Sequence, residues 1–254
     1  MRVVLLTQDE PLFLAPAIDY LLSRKPAEVQ VAGCVVFDPS PLGKKVGMAG
    51  RARALLRVFG FAYFVRYAAK FGFARLNPAR RLSRILARHH VPETQIDGNI
   101  NSEDSLDAIR ALAPDLLISV AGNQIFRRPL IELAPKGCLN LHTALLPKYR
   151  GLMPTFWVLR NGEKETGVSV FLVDEGIDSG PIVVQKRLPI GTDSLEELIR
   201  RTKVIGMDAV WEAAEKVRSG EVELIPNPES QKSYFSFPTQ ADVRAFRAAG
   251  KRLY

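Results

Sequence analysis

Short apolar runs alternate with longer amphipathic stretches along this chain. The runs RVVLLT (2–7), VQVAGCVVF (29–37), DLLISVA (115–121), CLNLH (138–142), GVSVFLV (167–173) and PIVVQKRL (181–188) are rich in β-branched residues and bounded by Gly, Pro or Asp, which predicts strands. Helical spacing fills several of the gaps. PLFLAPAIDYLLSRK (11–25) joins the first two strands, and SEDSLDAIRALAP (102–114) opens on Ser102 as an N-cap and stops before Pro114. A shorter helix is predicted in IFRRPLIELAPKG (125–137). The longest follows Thr192 or Asp193 as cap, places Leu195, Leu198, Ile199, Ile205, Ala209, Val210, Ala213 and Val217 at helical spacing, and closes at Gly220. Strand and helix in this rhythm predict an α/β fold: a mainly parallel, doubly wound, Rossmann-like sheet with helices on both faces. Ligands of such sheets collect at the carboxyl ends of the strands. The turn after the first strand, TQDEP, has no glycine for a pyrophosphate to approach, which excludes NAD or ATP there.

Composition narrows the class. With 254 residues, 47% hydrophobic and 24% charged, the chain has enough material for one large domain. Cys34 and Cys138 sit in apolar runs without metal-ligand spacing and read as buried free thiols in a reducing compartment. MRVVLLTQDEPLF meets Gln8, Asp9 and Glu10 too soon to be a secretion signal, so the expected location is cytoplasmic. The net charge of +8 is local: between Asp38 and Glu93 there is no acidic residue, while twelve Lys and Arg, from Lys44 to Arg88, occupy the segment.

Only one of the three histidines is a chemical candidate. His89 and His90 follow RRLSRILAR and belong on a helix surface, whereas His142 lies in a strand two positions after Asn140, so both side chains project from the same face. Alone, His142 reads as a hydrogen-bonded core residue. Asp178, in the glycine-rich VDEGIDSGP loop after another strand, is expected near it at the carboxyl end of the sheet, although an Asp before Ser-Gly is also ordinary turn chemistry. An amide, an imidazole and an orienting carboxylate together suit acyl transfer between amines.

The run from Cys138 to Gln185, CLNLHTALLPKYRGLMPTFWVLRNGEKETGVSVFLVDEGIDSGPIVVQ, resembles the catalytic region of formyltransferases that use 10-formyltetrahydrofolate, among them the glycinamide ribonucleotide, methionyl-tRNA and amino-sugar enzymes. Their Asn-x-His, Leu-Leu-Pro loop, Thr-Gly-Val strand and Asp-bearing turn recur here in order, with His142 and Asp178 separated by 36 positions. The resemblance extends more weakly back to Arg2 and forward through the long helix. It implies a catalytic domain over 1–190 with a basic helical insertion at about 41–91, and a C-terminal helix and tail, 191–254, on the same domain. It also implies that Asn140 polarises the formyl carbonyl, His142 shares that task and moves protons, and Asp178 positions His142. The donor 10-formyltetrahydrofolate, without a metal, is implied to lie between Gln124, Ile125, Phe126 and Arg127 and the backbone of Val173, Asp174 and Gly176, with Leu145, Leu146 and Pro147 beside the formyl group. One departure stands out: the family commonly has His-x-Ser, and here the third position is Ala144.

The resemblance leaves the acceptor amine open. TQDEP does not copy the phosphate loop of glycinamide ribonucleotide enzymes, the stretch after Pro189 does not read as a methionyl-tRNA enzyme's RNA-binding barrel, and strand one at residue 2 leaves no room for a hydrolase's regulatory domain. An amino-sugar nucleotide or similar anionic small molecule is therefore the expected acceptor. The alternatives are aminoacyl-tRNA, glycinamide ribonucleotide, hydrolysis of the donor, and a non-catalytic lipid- or RNA-binding protein. RVFGFAYFVRYAAKFGF (57–73) packs seven of the 21 aromatics among Arg57, Arg66 and Lys70. Its three readings are a helix pair packed on the domain or on a twin subunit in a homodimer, a peripheral contact with anionic lipid through 44–90, and, least favoured, a nucleic-acid patch. Its basic residues do not share one helical stripe, which argues against a membrane face.

Overall fold

The computed structural model describes residues 1–37, 47–96 and 98–254. β1 (Arg2–Gln8) is buried from Val3 to Thr7 and leads into α1 (Leu14–Ser23), whose Leu14, Ile18 and Leu21 face the sheet. β2 (Gln30–Phe37) runs parallel beside β1. Two helices follow, α2 (Met48–Phe59) and α3 (Phe61–Leu76), broken at Gly60, whose φ of +86° suits glycine. α4 (Leu82–Arg88) returns to a short edge strand, β3 (Glu93–Gln95). Ser102 accepts the Ser105 N–H and caps α5 (Glu103–Arg110) as expected. Next come β4 (Leu116–Val120), α6 (Arg128–Ile131) and β5 (Cys138–His142). α6 is a single turn rather than the longer helix predicted across 125–137, because Pro129 starts it and Pro135 denies a continuing backbone donor.

The remaining elements are β6 (Arg150–Gly151), α7 (Pro154–Arg160), β7 (Glu165–Leu172), β8 (Ile182–Pro189), α8 (Leu195–Ser219), β9 (Tyr234–Phe235) and α9 (Gln240–Ala248). The seven-stranded sheet has the order β3-β2-β1-β4-β5-β7-β8. From β3 to β5 the pairs are parallel, and β5–β7 and β7–β8 are antiparallel, so the sheet is mainly parallel as the pattern implied. α1, α4 and α8 cover one face through a shared apolar cluster, and α5 and α6 cover the other. Ser194, rather than the expected Thr192 or Asp193, caps α8, with Glu197 completing a capping box, and Gly220 in the left-handed region closes it.

The basic insertion packs on its own domain. The proposed start at residue 41, with Lys44 and Lys45, lies outside the described residues. Phe59 and Tyr63 enter a second core with Phe156, Trp157, Val243 and Phe246, built between α7, α9 and the chain end. Phe156 stacks on Phe246 at 5.0 Å and meets Phe59 edge-on at 6.3 Å. Charge adds to this docking: the buried Glu196 carboxylate at the start of α8 pairs with Lys70, with Arg66 at 3.9 Å and with Arg200 at 3.4 Å. Two of the insertion's cations are thereby committed within the chain. Phe59→Ala should cost about 3–5 kcal/mol in urea unfolding, and Phe61→Ala, two positions on and exposed, within about 0.5 kcal/mol of zero. Equal costs would mean that the inward face of this segment is wrongly identified.

Candidate functional site

β5 ends on the residues that matter. Asn140 and His142 alternate with the buried Leu139 and Leu141, so core packing of the leucines turns the polar pair to the opposite face. His142 is 6% exposed. Its Nε2 lies 2.7 Å from the Tyr149 carbonyl, and since a carbonyl only accepts, Nε2 carries the proton of that bond. Nδ1 faces Asp178 Oδ2 at 3.6 Å, ion-pair range rather than a hydrogen bond.

Asp178 does reach His142, but by a route other than the expected one. β7 is antiparallel to β5, so the loop after it leaves near Cys138, where the Val173 N–H donates to the Cys138 carbonyl at 2.8 Å. The loop then folds back along β5 to bring Asp178 to the histidine. Several bonds hold it there. Asp178 Oδ2 accepts the Gly151 N–H at 2.7 Å, and Asn227 Nδ2 donates at 2.9 Å to both the Asp178 and Gly180 carbonyls. Asp178 itself sits at φ +50°, which costs a non-glycine residue of order 1 kcal/mol or more. Gly151 is required: at φ +94° a Cβ there would stand 2.3 Å from the Phe235 carbonyl. Behind it the buried Arg150 pairs with Glu229 and donates to Asn227 Oδ1 at 2.9 Å. Sequence reading missed Asn227, Glu229 and Arg150 because Asn227 lies 49 positions from Asp178 and 77 from Arg150, and Glu229 lies 79 from Arg150, with no pattern linking them.

The 144–147 loop is fixed from β7 and β8. Ser169 Oγ donates to the Ala144 carbonyl at 2.8 Å and accepts the Leu146 N–H at 3.1 Å, while Gln185 Nε2 donates to the Leu146 carbonyl at 2.9 Å. The Ala144 side chain is buried in the aromatic core with Phe156, where a hydroxyl would need a partner. Holding the loop falls to Ser169, which the Thr-Gly-Val-Ser run could have suggested. Leu146 is buried under Phe171 and Ile182, and Leu145 and Pro147 are half-buried.

The other expected ligand-facing residues divide by environment. Phe126 is buried against Phe37, and Gln124 spends its amide on the Ile100 N–H at 3.0 Å and the Gly98 carbonyl at 2.8 Å, so both brace the loop after β4. Ile125 and Arg127 are exposed. In the facing loop Val173 is half-buried, and Asp174 Oδ1 accepts the Gly176 N–H at 3.1 Å and the Ser179 hydroxyl at 2.6 Å. The two loops are in electrostatic reach, because the Arg128 guanidinium, raised in pKa first by its bond to Glu132, is raised further by Glu175. Ile125 and Ile177, one on each loop, are exposed.

A cavity of about 190 Å³ is lined by Thr143, the residue after His142, and by Met153, Thr155, Ile199, Thr202 and Lys203. Burial pushes the Lys203 ammonium down in pKa, opposed by the Glu10 carboxylate. Glu10 itself is engaged: its carboxylate accepts the N–H groups of Leu12, Phe13 and Leu14 at 2.8–2.9 Å, closing the N-terminus of α1.

Comparison with known proteins agrees with this architecture. The formyl transferase family model matches residues 1–214. A methionyl-tRNA formyltransferase of Kosmotoga olearia is 39% identical over 146 residues, 57% of this chain and 47% of that protein. The chain thus spans about half the length of the curated relatives it matches. Among solved structures, glycinamide ribonucleotide transformylase 1 of Symbiobacterium toebii superposes with a TM-score of 0.61 at 21% identity, over 89% of this chain and 92% of that one. An N-formyltransferase of Helicobacter canadensis, in complex with folinic acid and dTDP-3-aminofucose, gives 0.58 at 16% identity over 98% and 80%. At these identities the structures share the fold.

Two outcomes are expected. Ser169→Ala strips a buried donor and a buried acceptor of their partner and should lower unfolding free energy by about 2–4 kcal/mol; a loss under about 0.5 kcal/mol would mean that the loop is held otherwise. Lys203 has a folded-state pKa below its ordinary 10.5, so its penalty is fully present below that folded value and fades as pH rises toward 10.5. Lys203→Met should therefore stabilise at neutral pH, with a gain that shrinks in alkaline denaturation series.

Proposed function

We propose that the chain, which belongs to the formyl transferase family, transfers a formyl group from 10-formyltetrahydrofolate to a primary amine. The observation that carries the reading is the convergence of His142 and Asp178, from elements with opposed strand directions, beside Asn140. The donor supplies the formyl carbonyl; this chain's side chains hold and polarise it. Asn140 donates to the formyl oxygen as charge develops there, and His142 shares that task. With Nε2 occupied by the Tyr149 carbonyl, Nδ1 is the nitrogen left to exchange a proton, and Asp178 orients the ring. In the net reaction the amine nitrogen gains the bond to the formyl carbon, the donor nitrogen loses it, and one proton passes from amine to donor nitrogen. The pterin ring would lie between the 124–127 and 173–176 segments, and Leu145, Leu146 and Pro147 would flank the formyl group.

For the acceptor we favour an amino-sugar nucleotide or a related anionic small molecule. Lys203 on the cavity beside Thr143 offers a cation to such a ligand. Glu10 occupies the amides of the α1 N-terminus, which argues against an acceptor that anchors a phosphate there, as glycinamide ribonucleotide would. The second reading is methionyl-tRNA, favoured by the 39% identity to the Kosmotoga olearia enzyme.

Tetrahydrofolate release is the assay, with amino-sugar nucleotides, glycinamide ribonucleotide and methionyl-tRNA offered in turn. Asn140→Ala, His142→Ala and Asp178→Asn should each lower turnover by roughly 10²–10⁴-fold while the fold persists. Full activity in His142→Ala would overturn the mechanism. Release without any amine would turn the assignment to hydrolysis of the donor.

A further inference from the structure

The third helix is inside out. α3 turns Tyr63, Tyr67, Lys70 and Ala74 toward the protein, and to solvent it turns Phe61, Val65, Phe73 and Leu76, interleaved with Ala62, Ala68, Ala69 and Gly72. Phe61, Phe73 and Leu76 are 73%, 75% and 74% exposed. At three- and four-residue spacing these form one continuous apolar stripe about four turns long. In helical projection the stripe is edged by Arg66, already committed to Glu196, and by Arg75. Arg53 and Arg57 on α2, and Arg81 and Arg84 beyond α3, are exposed as well. No carboxylate occurs between Asp38 and Glu93 to offset them. The scatter of basic residues that argued against a membrane face in the sequence is thus resolved: the inward cations are neutralised internally, and the outward face is apolar with a cationic rim.

We propose that this face of α3, with the arginines around it, docks on the surface of an anionic lipid bilayer. The helix has 16 residues, and at ~1.5 Å each it falls short of the ~30 Å hydrocarbon core. Among the described residues no helix is long and apolar enough to cross a membrane, so the stripe lies along the interface. Charge selects this occupant over the others. A second copy docked through the same face would set two arginine-rich rims against each other. An RNA strand would be served by the arginines, but it gains little from Val65, Leu76 and the small residues between the phenylalanines. An anionic bilayer meets both chemistries, apolar depth and negative surface. The proposal stands whatever the acceptor amine is, since none of these residues belongs to the His142 site.

Cosedimentation of the full chain with vesicles of phosphatidylcholine alone, and of phosphatidylcholine with phosphatidylglycerol, tests it. Binding should favour the anionic vesicles at least ~10-fold and weaken with salt. Phe61→Ser, Phe73→Ser and Leu76→Ser combined should leave the unfolding midpoint unchanged and reduce vesicle binding at least ~10-fold. Arg53→Gln, Arg75→Gln and Arg81→Gln should each cost roughly 5-fold. Absence of anionic preference, or binding indifferent to the triple serine variant, overturns the proposal. So does a dimer that the triple variant dissolves when no vesicle binding is seen, or RNA binding that the triple variant leaves intact in the same circumstance.

Discussion

One carboxylate oxygen, Asp178 Oδ2, fixes the spacing of three segments that the fold would otherwise leave independent. It accepts the Gly151 amide and stands 3.6 Å from His142 Nδ1, tying the loop after β7 to the 149–151 segment and to the end of β5. Everything nearby is arranged to keep it there. Asn227 holds the main chain at the aspartate and two residues beyond it, Arg150 holds Asn227, and β9 pairs with β6 behind them. The left-handed backbone of Asp178 is unfavourable alone and persists because these bonds overdetermine it. Removing the tail would therefore disturb His142 without touching it.

The insertion shows how charge can mislead when counted along a chain rather than in space. Lys70 and Arg66 meet a buried carboxylate on α8, Arg88 meets Asp19 on α1, and the aromatics divide between a core and a surface. Docking Lys70 and Arg66 on Glu196 seats α3 so that the apolar stripe has no direction to face except outward. The same seating brings Tyr67 near enough to Glu10 that the carboxylate, after burial, helps raise the tyrosine's pKa.

Much of the fold was legible because strands of a parallel sheet announce themselves as short apolar runs, and RVVLLT, DLLISVA and CLNLH all became strands where expected. Direction was not legible: GVSVFLV looks the same whether it runs with or against CLNLH, so the approach of Asp178 was anticipated from the wrong end. Asn140, His142 and Asp178 stood out through local spacing and family pattern. Gln185 and Asn227 did not, since a residue that holds another by its main chain leaves no trace in periodicity, and Ser169 had only the Thr-Gly-Val-Ser run to mark it. Gln124 and Phe126 were legible as loop residues, but only packing could reveal that their side chains turn inward.

Glu10 has a consequence for how such a scaffold changes partners. A helix N-terminus with three amides pointing outward is an anion receptor by construction, and here the receptor is filled by a side chain two to four residues upstream of the donors. The chain carries, in effect, its own tethered competitor at that position. A tethered carboxylate has a high effective concentration, so a free anion must outbid it to enter. A single change at residue 10 would vacate the receptor without building anything new, and two proteins differing there could share every catalytic group yet accept different anions.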